Sequence, residues 1–212
     1  MERQRNLRRY SKIFLCIIYL VGILGYLIPA LKSLILSLTP IALLVTGGIV
    51  FINLAYRNSR KIIFWFVIIY VITIIIEIIG VKSKLIFGDY SYGDILGPKI
   101  LEVPLVIGFN WSILIMGAID LARIFTNNRY IIMLLTASLA LCFDIILEPA
   151  AVKLGYWSWV HNIPLQNYLA WFVISIAATY IFVKMRIDYN SDLPRTNYYL
   201  QSAFFVIILI FV

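Results

Sequence analysis

The feature that most restricts this 212-residue chain is a succession of long apolar stretches with only short polar breaks between them. Six run approximately from Ile13 to Pro29, Leu34 to Ala55, Ile62 to Val81, Val103 to Ile124, Tyr130 to Ala150 and Leu165 to Met185. A helical span needs about 20 mainly apolar residues at about 1.5 Å rise each, because lipid offers the backbone no hydrogen-bond partner and a helix supplies its own. The chain therefore reads as an all-α, polytopic transmembrane helical bundle of about seven spans, the seventh being Tyr198 to Val212. That last stretch reaches about 22 Å against a hydrocarbon core of about 30 Å, so it thins the bilayer locally or is a piece of a longer span.

Composition enters here as an exclusion. Hydrophobic residues make up 63% of the chain and charged residues 13%, too few charges to clothe a water-soluble surface. The first stretch offers no A-x-A-like cleavage site and more spans follow it, so it reads as a retained span rather than a cleaved signal. With no repeat, low-complexity tract or soluble domain, residues 1–212 form a single integral membrane domain with a motif-bearing core at 77–172.

The net charge of +8 does not make a nucleic-acid surface, because the basic residues are divided among short loops. Assigned to alternate sides of the membrane, 13 of the Lys and Arg residues fall with the N-terminus: Arg3, Arg5, Arg8, Arg9, Lys12, Arg57, Arg60, Lys61, Arg123, Arg129, Lys184, Arg186 and Arg195. The other 5, Lys32, Lys82, Lys84, Lys99 and Lys153, fall opposite. By the positive-inside rule the N-terminus is cytoplasmic and the loops after spans one, three and five lie outside. Cys16 and Cys142 sit at different depths and read as small packing residues, and a single His with two separated Cys excludes the usual zinc spacings.

Ionisable groups inside a membrane cost about 2.5 to 3.5 kcal/mol each at a helix centre, so they mark a function or an internal partner. Glu77 lies near the end of span three, Asp144 and Glu148 near the end of span five, and Glu102 at the start of span four, all toward the outer leaflet. Asp144 and Glu148 are four residues apart and project from one helix face. Two carboxyl groups that close in a low dielectric do not both ionise readily, so one keeps a proton and is equipped to act as a general acid. The plainer alternative is hydration at the interface or pairing with Lys82, Lys84 or Lys153. Glu102 stands just ahead of Pro104, where the helix dipole favours an acid without catalysis. Asp120 is expected to pair with Arg123.

The outer loops are rich in aromatic residues, with Tyr90 and Tyr92 in FGDYSYGDILGP and Trp157 and Trp159 in GYWSWVHNIPLQN. Alternate positions of an extended segment face the same way, so each pair presents two rings to one surface. Interfacial aromatic belts account for part of this signal. The neighbouring Gly88, Gly93, Gly97, Pro98, Gly155 and Pro164 favour shaped, re-entrant loops that line a cavity. Trp111 and Trp171 lie deeper, with Asn110 and Asn167 beside them, and Asn167 is the stronger candidate because an amide facing lipid is costly. His161 reads as a solvated loop residue.

These residues resemble the CruF-type carotenoid 1',2'-hydratase family. The resemblance is carried by EIIG at 77–80, FGDYSYGDILGP at 87–98, VPLVIGFNW at 103–111, DIILEP at 144–149, GYWSW at 155–159 and IPLQNYLAWF at 163–172, standing in family order. It implies addition of water across the terminal double bond of an acyclic carotenoid, giving a tertiary alcohol without redox chemistry, metal or other cofactor. It also implies a lipophilic polyene substrate in membrane lipid, and leaves room for association with other carotenoid-pathway enzymes. Asp144, Glu148 and Glu77 are then the expected acid and base set, with Tyr90, Tyr92, Trp111, Trp157, Trp159, Asn167 and Trp171 around the substrate. Glu102 is not carried over, since the family commonly has a small residue there. A membrane polyprenyl transferase fits less well, because DIILE lacks a dense Asp cluster for magnesium. A transporter or pigment-binding protein with relay carboxylates is the non-enzymatic alternative.

Overall fold

The computed structural model describes residues 2–212, with side chains described for 6–55 and 60–212. The side chains of Arg3, Arg5 and Arg57, which entered the charge asymmetry, lie outside the described residues. Helix α1 (Glu2–Leu27) is followed by Ile28 in an extended conformation, and Pro29 opens α2 (Pro29–Ser83). Proline suits that first helical position because its missing N–H would have no partner there.

Within α2 lie two spans, Pro29–Ala55 and Arg60–Ser83. The rings of Phe51 and Phe66 are 4.5 Å apart, where a straight helix would separate the same positions by about 22 Å. The two spans therefore run side by side. After them come β1 (Tyr90–Tyr92), the hairpin of β2 (Lys99–Ile100) and β3 (Val103–Pro104), α3 (Leu105–Phe125), α4 (Arg129–Leu154), β4 (Trp157–Trp159), α5 (Leu165–Lys184) and α6 (Leu193–Phe211). Among the described residues, six helical segments are long and apolar enough to cross a membrane, in agreement with the all-α bundle expected.

Helix α3 is the axis of the bundle. It is buried on every side from Trp111 to Ala122 and packs against α2, α4, α5 and α6. Many other spans turn branched and leucine side chains outward, among them Ile17, Val21, Leu44, Ile75 and Ile145, the pattern expected of a surface that meets lipid. Cys16 and Cys142 also face outward, contrary to the packing role expected of them.

The last helix differs from its expected extent. It begins at Leu193 rather than Tyr198, since the polar turn Arg195, Thr196 and Asn197 is helical too, and its length of 19 residues corresponds to about 28 Å. The end of the bundle near this start is polar. Lys12 pairs with Asp192 at 2.5 Å, Arg123 with Asp188 at 2.6 Å, and Arg195 with Asp120 at 3.2 Å. Asp120 is thus held by Arg195 rather than by Arg123, because α6 packs against α3 and delivers a cation from across the bundle. Glu77, Asp144 and Glu148 gather at the opposite end.

Candidate active site

The site is roofed by a short ribbon. Helix α4 ends on Gly155 at φ +73°, a left-handed conformation that costs glycine least, and the chain turns directly into β4. Strand β4 pairs antiparallel with β1 in the register Tyr90 with Trp159, Ser91 with Ser158 and Tyr92 with Trp157. Side chains alternate across a strand. The two serines therefore point outward, their Oγ atoms 3.3 Å apart, while all four rings turn toward the bundle. The aromatic alternation read in each loop is one two-stranded surface.

Each strand serves one carboxylate. The hydroxyls of Tyr90 and Tyr92 donate to Glu77 Oε2 at 2.5 and 2.8 Å. The indole N–H groups of Trp157 and Trp159 donate to Glu148 Oε2 at 2.9 and 2.8 Å. Asn167, at the start of α5, donates from Nδ2 to Asp144 Oδ2 and to Glu148 Oε1, both at 3.1 Å. Burial first, and the Glu77 carboxylate second, push the phenols of Tyr90 and Tyr92 up, so both remain O–H donors.

The third acid is held more loosely. Asp144 is fully buried, and its Oδ1 has no hydrogen-bond partner in the protein. Such an orphaned acceptor is costly to bury and calls for an account. It lines a cavity of about 30 Å³, room for about one or two waters. Glu77, Tyr90, Tyr92, Trp111, Asp144, Glu148, Trp157, Trp159, Asn167 and Trp171 all line this one cavity, so the ten residues singled out in the sequence are brought together. Trp111 and Trp171 form its deep wall, stacked at 3.6 Å between centroids and 11° between planes, with Phe87 stacked behind Trp171 at 5.3 Å.

None of the three lysines considered as partners is paired with these acids. Lys84 pairs with Asp89 at 2.7 Å, Lys153 donates to the carbonyls of Ile208 and Leu209, and Lys82 is exposed. Glu102 lies in the exposed turn between β2 and β3 at φ +73°, ahead of α3 rather than in its first turn, and His161 is also exposed. Gln201 was not foreseen. It lines the cavity from α6 and donates to Asn110 Oδ1 at 2.8 Å. The signal was present, since Asn197 and Gln201 stand one turn apart in an apolar helix. Among the described residues, no group of three or more His, Cys, Asp or Glu side chains is placed to hold a metal ion.

Acids buried among aromatic rings inside a helical bundle of membrane-spanning length are costly to place there, which marks this cavity as the candidate site of a polytopic membrane-type protein. Comparison with known proteins specifies the family. The profile described as carotenoid biosynthesis protein matches residues 34–212, and the chain belongs to that family. A curated relative, the bisanhydrobacterioruberin hydratase of Haloarcula japonica, is 29% identical over 116 residues, covering 50% of this chain. The chain spans only 40% of that relative's length. No solved structure matches the chain.

Proposed function

We propose that the chain is a carotenoid hydratase, a hydro-lyase adding water across the terminal C1'–C2' double bond of an acyclic carotenoid end group. The observation that carries this reading is the water-sized cavity lined by three buried acids and four inward-facing rings, with one oxygen of Asp144 left unpartnered. A relative bearing the name hydratase supports it.

Hydration of a trisubstituted alkene begins with protonation to a tertiary cation. Asp144 is the group suited to hold the proton, because its two oxygens share a single donor, whereas Glu148 accepts from three N–H groups and is stabilised as an anion. The proton passes from Asp144 to C2', the π electrons forming the new C–H bond and leaving a cation at C1'. Ring faces lower the energy of such a cation through their quadrupoles. Water adds its oxygen to C1', and its surplus proton goes to Glu148. Return of that proton to Asp144, its neighbour one turn away, restores the starting state.

The 13 to 5 division of basic residues favours a cytoplasmic N-terminus with the site at the outer face. The whole chain then acts as one membrane domain on a lipophilic substrate. The reaction is tested with an acyclic carotenoid in ¹⁸O-labelled water, read by mass. Label in a product that is heavier by one water is expected. Conversion without label overturns the assignment.

A further inference from the structure

A second cavity, of about 330 Å³, lies beside the first between α1 and the Pro29–Ala55 span, with α6 behind it. Leu43, Tyr156, Gln201 and Phe205 line both cavities and form the wall between them. The mouth is set in the flank of the bundle, where Ile17, Val21, Leu38 and Ile41 are all exposed. It opens toward the region a bilayer would occupy rather than toward either end.

The polar groups of this cleft are engaged with one another. Tyr26 bonds to Thr39 at 3.1 Å and to Tyr156 at 3.0 Å, and Tyr19 donates to Asn197 at 3.1 Å. What they present to an occupant is therefore ring and hydrocarbon, with Phe204 packed edgewise against Tyr26 at 5.9 Å. One polar atom is an exception. Gln201 is 1% exposed and its Oε1 has no partner, at the point where the cleft meets the carboxylate cavity.

We propose that this cleft holds the hydrocarbon body of a linear polyene, which slides in sideways from the bilayer and presents its end group to Asp144 and Glu148. This rests on the hydratase reading for the identity of the end group. A cavity of about 30 Å³ has space for water but not for a branched isoprenoid end, so the end group must displace the shared wall. The unpartnered Gln201 oxygen stands where a water following the end group, or the hydroxyl of the departing alcohol, finds an acceptor. The rings of Tyr19, Tyr26, Tyr156, Phe204 and Phe205 stand among its aliphatic side chains and suit a conjugated chain, whose flat π-system stacks where a saturated chain does not.

The test is binding of lycopene to the purified full chain in detergent, followed by quenching of tryptophan fluorescence. Ala42→Phe fills the cleft, and Ile145→Phe on the outward face of α4 is the control. Ala42→Phe is expected to weaken lycopene about tenfold, equivalent to roughly two buried methylene groups, with Ile145→Phe unchanged. Val45→Phe, on the same wall, repeats the measurement if Ala42→Phe does not fold by circular dichroism and elution. Undiminished affinity in the folded cleft variant overturns the proposal, as does equal competition by phosphatidylcholine with saturated chains. Cleft-dependent binding without ¹⁸O incorporation keeps this inference and removes the hydratase reading. Incorporation with unchanged binding in the cleft variant does the reverse.

Discussion

Tyr92 and Trp157 face each other across the β1–β4 ribbon with ring centroids 5.8 Å apart, yet they serve different acids, Tyr92 reaching Glu77 and Trp157 reaching Glu148. One cross-strand pair therefore ties two transmembrane helices to a single roof. The ring packing and the polar bonds of this roof are separable by substitution.

Replacing Trp157 or Trp159 by Phe keeps a ring but removes one N–H donor to Glu148. Hydrogen bonds to charged groups contribute about 1.5 to 3 kcal/mol, so turnover is expected to fall about ten- to a hundredfold. Initial rates of carotenoid conversion by chromatography measure this, and full activity in both variants would show that the indole N–H groups are bystanders.

Asp144→Asn preserves shape and removes the proposed proton donor. Activity is expected to drop by about 10² to 10⁴, the usual contribution of a positioned acid. Thermal stability is expected to stay near that of the parent, because the amide keeps an oxygen to accept from Asn167 and exchanges one unpartnered buried polar atom for another. A scan in detergent beside the rate assay separates this from loss of fold, for which both would fall.

Ser91 and Ser158 occupy a hydrogen-bonded pair position, since the flanking bonds run from Gly93 N to Tyr156 O and from Val160 N to Asp89 O. Ser91→Pro removes a ladder donor and is expected to abolish activity while leaving helix content by circular dichroism near that of the parent. Ser91→Thr, which keeps the N–H and points outward, is expected to retain activity.

Glu102 is held at φ +73° in an exposed turn and does not line the acid cavity. Glu102→Gly relieves the left-handed backbone and is expected to stabilise by about 1 kcal/mol without changing conversion. Loss of conversion would reinstate Glu102 as part of the site.

Orientation is checked with cysteines placed at Ser158, on the exposed face of the ribbon, and at Lys12 at the other end of the bundle, in a background lacking Cys16 and Cys142. With a cytoplasmic N-terminus, an impermeant maleimide added to intact cells labels position 158 and spares position 12. The reverse pattern inverts the proposed topology.

The spans and the chemistry-bearing residues were legible because each rests on a local rule. Apolar length marks a span, four-residue spacing sets Asp144 over Glu148, and alternation sets Tyr90 with Tyr92. What was not legible was mutual. Nothing local says that β1 takes β4 as its partner, since two whole helices, α3 and α4, separate the strands along the chain. Asp120 has a cation three residues away in sequence, but the fold supplies Arg195 from α6, which no helical spacing foresees. Tyr198 looked like the start of a span because hydropathy rises there. The backbone is already helical from Leu193, with Pro194 in the first turn, where its missing N–H leaves no helical bond unmade. Gln201 is a single polar residue in an apolar run, and a lone amide in such a place needs a partner as much as an acid does, which the fold supplies in Asn110.

The outward serines of the ribbon impose a rule of parity on the evolution of these loops. Inserting one residue within either strand would exchange serines for rings and turn half of the roof outward, leaving Glu77 or Glu148 without its donors. An insertion of two restores the alternation and merely lengthens the strand. Length variation among homologues is therefore expected to arrive in even steps within these strands, and freely in the turns beyond Gly93 and beyond Val160.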